Sequence, residues 1–337
     1  MEEWTDRDLA KRFVSDYKLP IQIINEDLFC YSLITLGVIP KWVELKKIVK
    51  DKFNNNNNEF LEEYYRIRDN IITSVLNNEA YQKFNTMSMS KYQNLRKEAN
   101  ISSKNIYNQE NVGKNFISID LKKANFQVLN KIDKNILFNS DTYEEFIGKF
   151  TDLSYVKNSK YTRQVIFGKL NPSRHITIEK YYTLKIYELL SDKLELTKDY
   201  KITSISNDEV VYEVSVMDEN SEIEEVASQI ETLIKEELGL IVHVEYFKLK
   251  GFELCYKSTE SPKFTFYSKV FNNNEGNYKL VSVPLPYYLI IRRLYKGLIP
   301  LGKDYHFNYE GCDCIFNEEF IVKEITKGND ILVVTQN

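Results

Sequence analysis

Along this chain the apolar positions recur first at helical and then at strand spacing. Through residues 1–100 they fall three and four apart. "TDRDLAKRFVSDY" opens with a Thr5/Asp8 capping signal and sets Leu9, Phe13 and Tyr17 on one helical face. "NEDLFCYSLITLGVIPKWVELKKIV" and "EFLEEYYRIRDNIITSVL" continue in that style, split by the asparagine run 54–58, which reads as a loose loop. At residue 116 the character changes. "FISID" is a short apolar run ending in an acid, and "LKKANFQVLNKI" carries Leu121, Ala124, Val128 and Leu129 at helical spacing, so Asp120 falls at a strand-to-helix junction. Residues 142–190 return to helix, with a break at Asn171-Pro172. "ITSISNDEVVYEVSV" (202–216) is two β-branched runs around Asn207-Asp208-Glu209, the pattern of a strand, a tight turn and a strand. Next, "SEIEEVASQIETLIKEELGL" lines Ile223, Val226, Ile230, Leu233 and Ile234 into an apolar stripe, and "IVHVEYFKLKGFEL" (241–254) alternates as a strand. The order predicts an α+β fold, an antiparallel sheet with helices on one face. Residues 255–337 add strand-like pieces and a helix at "YYLIIRRLYKG".

Composition narrows the picture. At 43% hydrophobic over 337 residues the chain can build substantial cores, and 11 glycines and 7 prolines argue for long regular elements. A net charge of −4 points to no nucleic-acid partner by itself; only its distribution could. An acidic opening without a signal-like segment, no apolar run long enough for a membrane span, and four scattered cysteines lead us to expect a reducing cytoplasmic setting and no membrane. His306, Cys312 and Cys314 are an incomplete zinc set. His175 is expected on the surface near a basic helix, and His243 on a strand. Tyr64-Tyr65 and Tyr181-Tyr182 read as packing with one exposed ring, or as stacking platforms for a single strand.

Three features stand in a definite order: Asp120 at a strand end, a basic helix around "KYTRQVIFGK", and Asp208 with Glu209 at a hairpin tip. The acids of "SNDE" suit turn chemistry, yet two carboxylates delivered from separate strand ends also suit two Mg²⁺ ions in nucleotidyl transfer. Between 157 and 185 seven cations (Lys157, Lys160, Arg163, Lys169, Arg174, Lys180, Lys185) stand against one acid, Glu179, for a local charge of 7 − 1 = +6. Arg163 and Phe167 are four apart and share a helix face, a cation for a triphosphate beside a ring that could meet a base. A solvated basic face is the alternative.

On these residues the chain resembles the polymerase module of family A DNA polymerases, in a compact, divergent, phage-type form. "DLKKANFQVLNKI" (120–132) is similar to that family's motif A, "TRQVIFGKLNP" (162–172) to its fingers helix, and "SNDEVVYEV" (206–214) with the following helix and strand to its motif C. The likeness covers roughly 115–250. It departs from the family at Asn207 in place of a His, Ser159 in place of a second fingers cation, Asn171-Pro172 at the fingers tyrosine, and Asn125 at the sugar-gate glutamate.

The resemblance implies a helical thumb-like region over 1–110, a palm over 111–140 and 196–255, reduced fingers over 141–195, and a C-terminal extension of unknown role over 256–337. It implies template-directed extension of a primer 3′ end without a proofreading exonuclease domain. Asp120 and Asp208 would bind two Mg²⁺, with Glu209 supporting them. Lys160 and Arg163 would hold the triphosphate, Phe167 would pack on the incoming base, and Asn125 would sit at the sugar. Primer–template, nucleoside triphosphates and possible replisome or split-polymerase components are the expected partners. Because an amide can donate to a 2′-hydroxyl, ribonucleotide use stays open. So do an inactive palm that only binds nucleic acid, a fragment needing a partner, and a terminal transferase.

Overall fold

The computed structural model describes residues 4–93, 106–193, 200–215, 220–326 and 331–333. Six helices come first: α1 (Arg7–Tyr17), α2 (Glu26–Leu36), α3 (Ile39–Phe53), α4 (Asn57–Leu76), α5 (Glu79–Thr86) and α6 (Ser90–Gln93). Strand β1 (Asn115–Leu121) leads into α7 (Ala124–Ile132), then α8 (Tyr143–Gly148), α9 (Ser154–Asn158), α10 (Lys160–Lys169) and α11 (Pro172–Lys193). The hairpin β2 (Tyr200–Ile205) and β3 (Glu209–Val214) precedes α12 (Asn220–Leu238) and the long β4 (Val242–Tyr256). Beyond it come β5 (Pro262–Phe271), β6 (Tyr278–Val281), α13 (Tyr288–Tyr295), β7 (His306–Tyr309), β8 (Cys312–Ile315), β9 (Phe320–Ile325) and β10 (Ile331–Val333). The fold is α+β with an antiparallel sheet.

Two local details differ from the sequence reading. The asparagine run is a tight turn rather than a loose loop. Asn54 and Asn55 take the left-handed conformation (φ 49 and 62°), which asparagine tolerates well. Asn56 then caps α4 by accepting from Glu59 N at 3.1 Å. At the start of α1 the cap residue is Asp6, not Thr5, and its carboxylate serves Lys46 and Asn57 instead of the helix.

Strand β4 is the spine of the sheet. Its residues 242–248 pair with β1 and its residues 251–256 with β9, in succession along one edge, while β5 lines the other edge. The sheet order is β10-β9-β4-β1-β3-β2, so the chain beyond residue 255 extends the same sheet that carries β1. Alternation sorts side chains onto two faces. Ile117, Ile119, Leu121, Val210, Tyr212, Val242 and Tyr246 join the main core under the helices. Phe116, Val211, Phe247 and Leu249 form a smaller cluster on the opposite face with Ile106, Val112 and Tyr267. Ser118, Asp120, Glu209, His243 and Glu245 share that second face by register.

A buried carboxylate joins the first helix to the fourth and tenth. Asp16 is 1% exposed and accepts from Arg12 Nε (3.1 Å), Tyr64 OH (2.7 Å), Tyr155 OH (2.8 Å) and Ser159 Oγ (2.9 Å). On the far side, buried Asp304 accepts from Tyr31 of α2 (2.8 Å) and pairs with Arg293 of α13 (2.6 Å).

Candidate functional site

The β1 alternation places Asp120 on the less covered face one residue before the strand ends. The Lys122–Lys123 turn, with Lys123 at φ 50°, then swings the chain into α7. Asp120 lies directly opposite Glu209 in the β1–β3 register and opposite His243 on β4. The hairpin tip is pinned from two sides: Leu121 N donates to the Asp208 carbonyl (2.8 Å), and Thr183 Oγ1 of α11 donates to the Asn207 carbonyl (2.9 Å). Ser206 closes the turn through its backbone N–H to the Glu209 carbonyl (2.9 Å) and its hydroxyl oxygen to Glu209 N (3.2 Å). Asp120 and the hairpin tip, far apart in the chain, are thereby held side by side.

The electrostatics match this crowding. Partial burial, then the negative charges of Asp208 and Glu209, push Asp120 up to about 6, with Glu245 adding and Lys160 opposing. Solvent still reaches Asp120 past the neighbouring acids. Glu209 is held by the Ser118 hydroxyl, which donates to its carboxylate. Tyr107 lies close enough to Glu209 and Glu245 to feel their charge.

Not every predicted site residue falls where expected. Lys160 is exposed in the first turn of α10, within electrostatic reach of Asp120, and Arg163 lies over the Tyr143 ring at 5.7 Å. Phe167 is 2% exposed, enclosed by Tyr143 and His175, so its ring has no open face for a base. Helical spacing put it beside Arg163, but α8 and α11 cover that part of α10. His175, expected on the surface, is 1% exposed among Tyr81, Phe84 and Phe167, and among the described residues neither ring nitrogen has a hydrogen-bond partner. Asn125 is tied to α11: its Nδ2 donates one hydrogen to the Glu179 carboxylate.

Glu179 is the residue that sequence reasoning missed. It is 5% exposed on α11, one helical turn before Thr183, and burial followed by the Asp208 charge pushes it up to about 7. Its signal was present as the lone acid among the seven cations of 157–185. Among the described residues no three His, Cys, Asp or Glu side chains converge into a ready metal site, the Cys312–Cys314 strand included. His306 Nδ1 lies 2.8 Å from Asp313 instead. The Asp120/Asp208 pair still fits a hard divalent cation, which takes one or two carboxylates and completes its shell with water and phosphate oxygens. The mutual repulsion that raises Asp120 is the charge excess such an ion would relieve. No family model and no curated protein matches the chain. No helix is long and apolar enough among the described residues to cross a membrane.

Proposed function

We propose that the chain is a template-directed nucleotidyltransferase, a family A-like polymerase palm that extends a primer 3′ end. The observation that carries this reading is the pairing of Asp120 with Glu209 on one sheet face, with the charges of Asp208 and Lys160 within electrostatic reach of Asp120. Asp120 and Asp208 are the residues that would hold Mg²⁺; when bound, such ions supply Lewis-acid activation of the attacking hydroxyl and neutralise the departing pyrophosphate. Glu209, fixed by Ser118, stands opposite Asp120 and supports the site without itself needing to bind the ion. Lys160 and Arg163 supply the positive charge for the triphosphate. Asn125, oriented by one Nδ2 bond to Glu179, has its second N–H and its carbonyl oxygen left for a sugar hydroxyl.

A second reading, a palm that binds nucleic acid without extending it, is favoured by the burial of Phe167, because the α10 helix then offers no ring at that position for the incoming base. One assay separates the two. A labelled primer–template is incubated with Mg²⁺ and either deoxyribonucleotides or ribonucleotides, with Asp120→Asn and Asp208→Asn in parallel. The polymerase reading expects extension that each substitution lowers by at least about a thousandfold. Tight primer–template binding without extension would move the conclusion to the binding subunit.

A further inference from the structure

We infer that Lys18, at the end of α1, completes a polyphosphate-binding cluster with Lys160 and Arg163, so that the N-terminal helices contribute directly to holding a nucleoside triphosphate. This rests on the reading above for the identity of the nucleotide, but not for the binding of a polyphosphate.

The backbone of Lys18 is the first observation. It ends α1 in the left-handed conformation (φ 49°, ψ 46°), with its N–H donating to Ser15 O and Leu19 N donating to Val14 O. That double bond pattern is the helix stop at which glycine is strongly favoured, and a lysine there is strained.

Position is the second. The Asp16–Ser159 hydrogen bond (2.9 Å) ties the last turn of α1 to the cap of α10, and the Arg12 guanidinium lies over the Tyr161 ring at 4.3 Å. Lys18 follows Asp16 by two residues, and Lys160 follows Ser159 by one. The three cations come together as a result: burial, then repulsion from Lys160 and Arg163, holds Lys18 below its usual range. Among the described residues none of the three has a carboxylate within ion-pair distance, whereas Lys11, on the same helix, pairs with Asp8 at 2.8 Å. Lys160 in turn reaches Asp120 electrostatically, so the cluster borders the acids. Unpaired cations gathered beside a carboxylate cluster are complementary to a phosphate chain that carries a divalent ion.

Inorganic tripolyphosphate binding to the full chain, measured by calorimetry at low salt, tests the inference on wild type, Lys18→Gly, Lys18→Arg, Lys160→Ala and Lys11→Ala. Lys18→Gly suits the left-handed backbone, so its thermal midpoint should hold or rise while its Kd weakens about tenfold, the worth of one charge-assisted hydrogen bond. Lys18→Arg should recover most of that affinity, and Lys11→Ala should bind as wild type. In primer extension, Lys18→Gly should raise KM for the triphosphate about tenfold and leave kcat within about twofold. Lys18→Gly binding tripolyphosphate as tightly as wild type, or wild type not binding it, overturns the inference. Lys18-dependent binding without any extension would retain the inference and discard the polymerase reading. Extension insensitive to Lys18→Gly would do the reverse.

Discussion

Asp16→Ala tests how firmly the N-terminal helices are fastened to α10. The native carboxylate accepts from four donors on α1, α4, α9 and the α10 cap, and it is 1% exposed. Burial opposes the Arg12 charge, yet Asp16, Tyr64 and Tyr65 together hold that guanidinium above its ordinary pKa. Truncation leaves Arg12, itself 8% exposed, buried without a counter-charge, and breaking one partner of a buried pair costs about 3–5 kcal/mol. Two tyrosine hydroxyls and Ser159 lose an acceptor as well, so the upper half of that range is expected. Against a typical total stability of about 5–15 kcal/mol this is a large fraction. With a urea slope of about 3 kcal/mol/M, the unfolding midpoint should fall by more than about 1 M. Asp16→Asn should cost nearly as much, since one amide oxygen cannot serve donors that now occupy both carboxylate oxygens. The double change Arg12→Met/Asp16→Leu should recover much of the loss by removing both charges together. Lys11→Ala, which breaks only an exposed pair, should stay within about 0.5 kcal/mol of wild type. A loss below about 1 kcal/mol in Asp16→Ala would refute the argument, as would a double variant no better than the single.

Two further outcomes follow from buried residues around α10. Burial holds His175 at about 4, below its usual 6.5, so the unfolded chain takes up this proton first as pH falls. Its contribution is neutral above pH 6.5 and becomes destabilising from 6.5 down to 4, reaching about 3 kcal/mol at 1.36 kcal/mol per unit. Subtracting the urea stability of His175→Phe from that of wild type isolates this slope from the opposite one of Glu179, and a flat difference between pH 7 and pH 4 would contradict it. Phe167→Ala should lose about 3–5 kcal/mol in the same titration. Phe167→Leu, which keeps most of the buried volume, should leave KM for the triphosphate within about twofold, whereas loss of a base-stacking ring worth about 1–3 kcal/mol would raise it at least fivefold.

What could be read from the sequence is what depends on local chemistry. Alternation in "FISID" and the β-branched runs around "SNDE" were enough to place Asp120 at a strand end and Asp208 at a hairpin tip, because strand period and turn preference act within a few residues. The apolar stripe of α12 was legible for the same reason. The role of Phe167 was not. Helical spacing says that Arg163 and Phe167 share a face, but which part of that face is covered depends on α8 and α11, which arrive from elsewhere in the chain.

The partners of Asp16 and Asn125 were illegible for a stronger reason. Ser159 is 143 residues from Asp16, and Glu179 is 54 from Asn125. Neither pairing has a spacing rule, and each joins a helix to an element that no periodicity relates to it. A buried acid in an amphipathic helix looks, in sequence, like any charge on a solvated face. Its burial becomes visible only when the donors around it are assembled, and then its meaning changes. At Asp16, one of the donors is Ser159, the cap of the helix that carries Lys160 and Arg163, so the bond that stabilises the fold also decides which cations stand together. A substitution that loosens Asp16 should therefore weaken polyphosphate binding even though Asp16 touches no phosphate, and the loss should exceed that from Lys18→Gly, since it releases all three cations from register rather than deleting one.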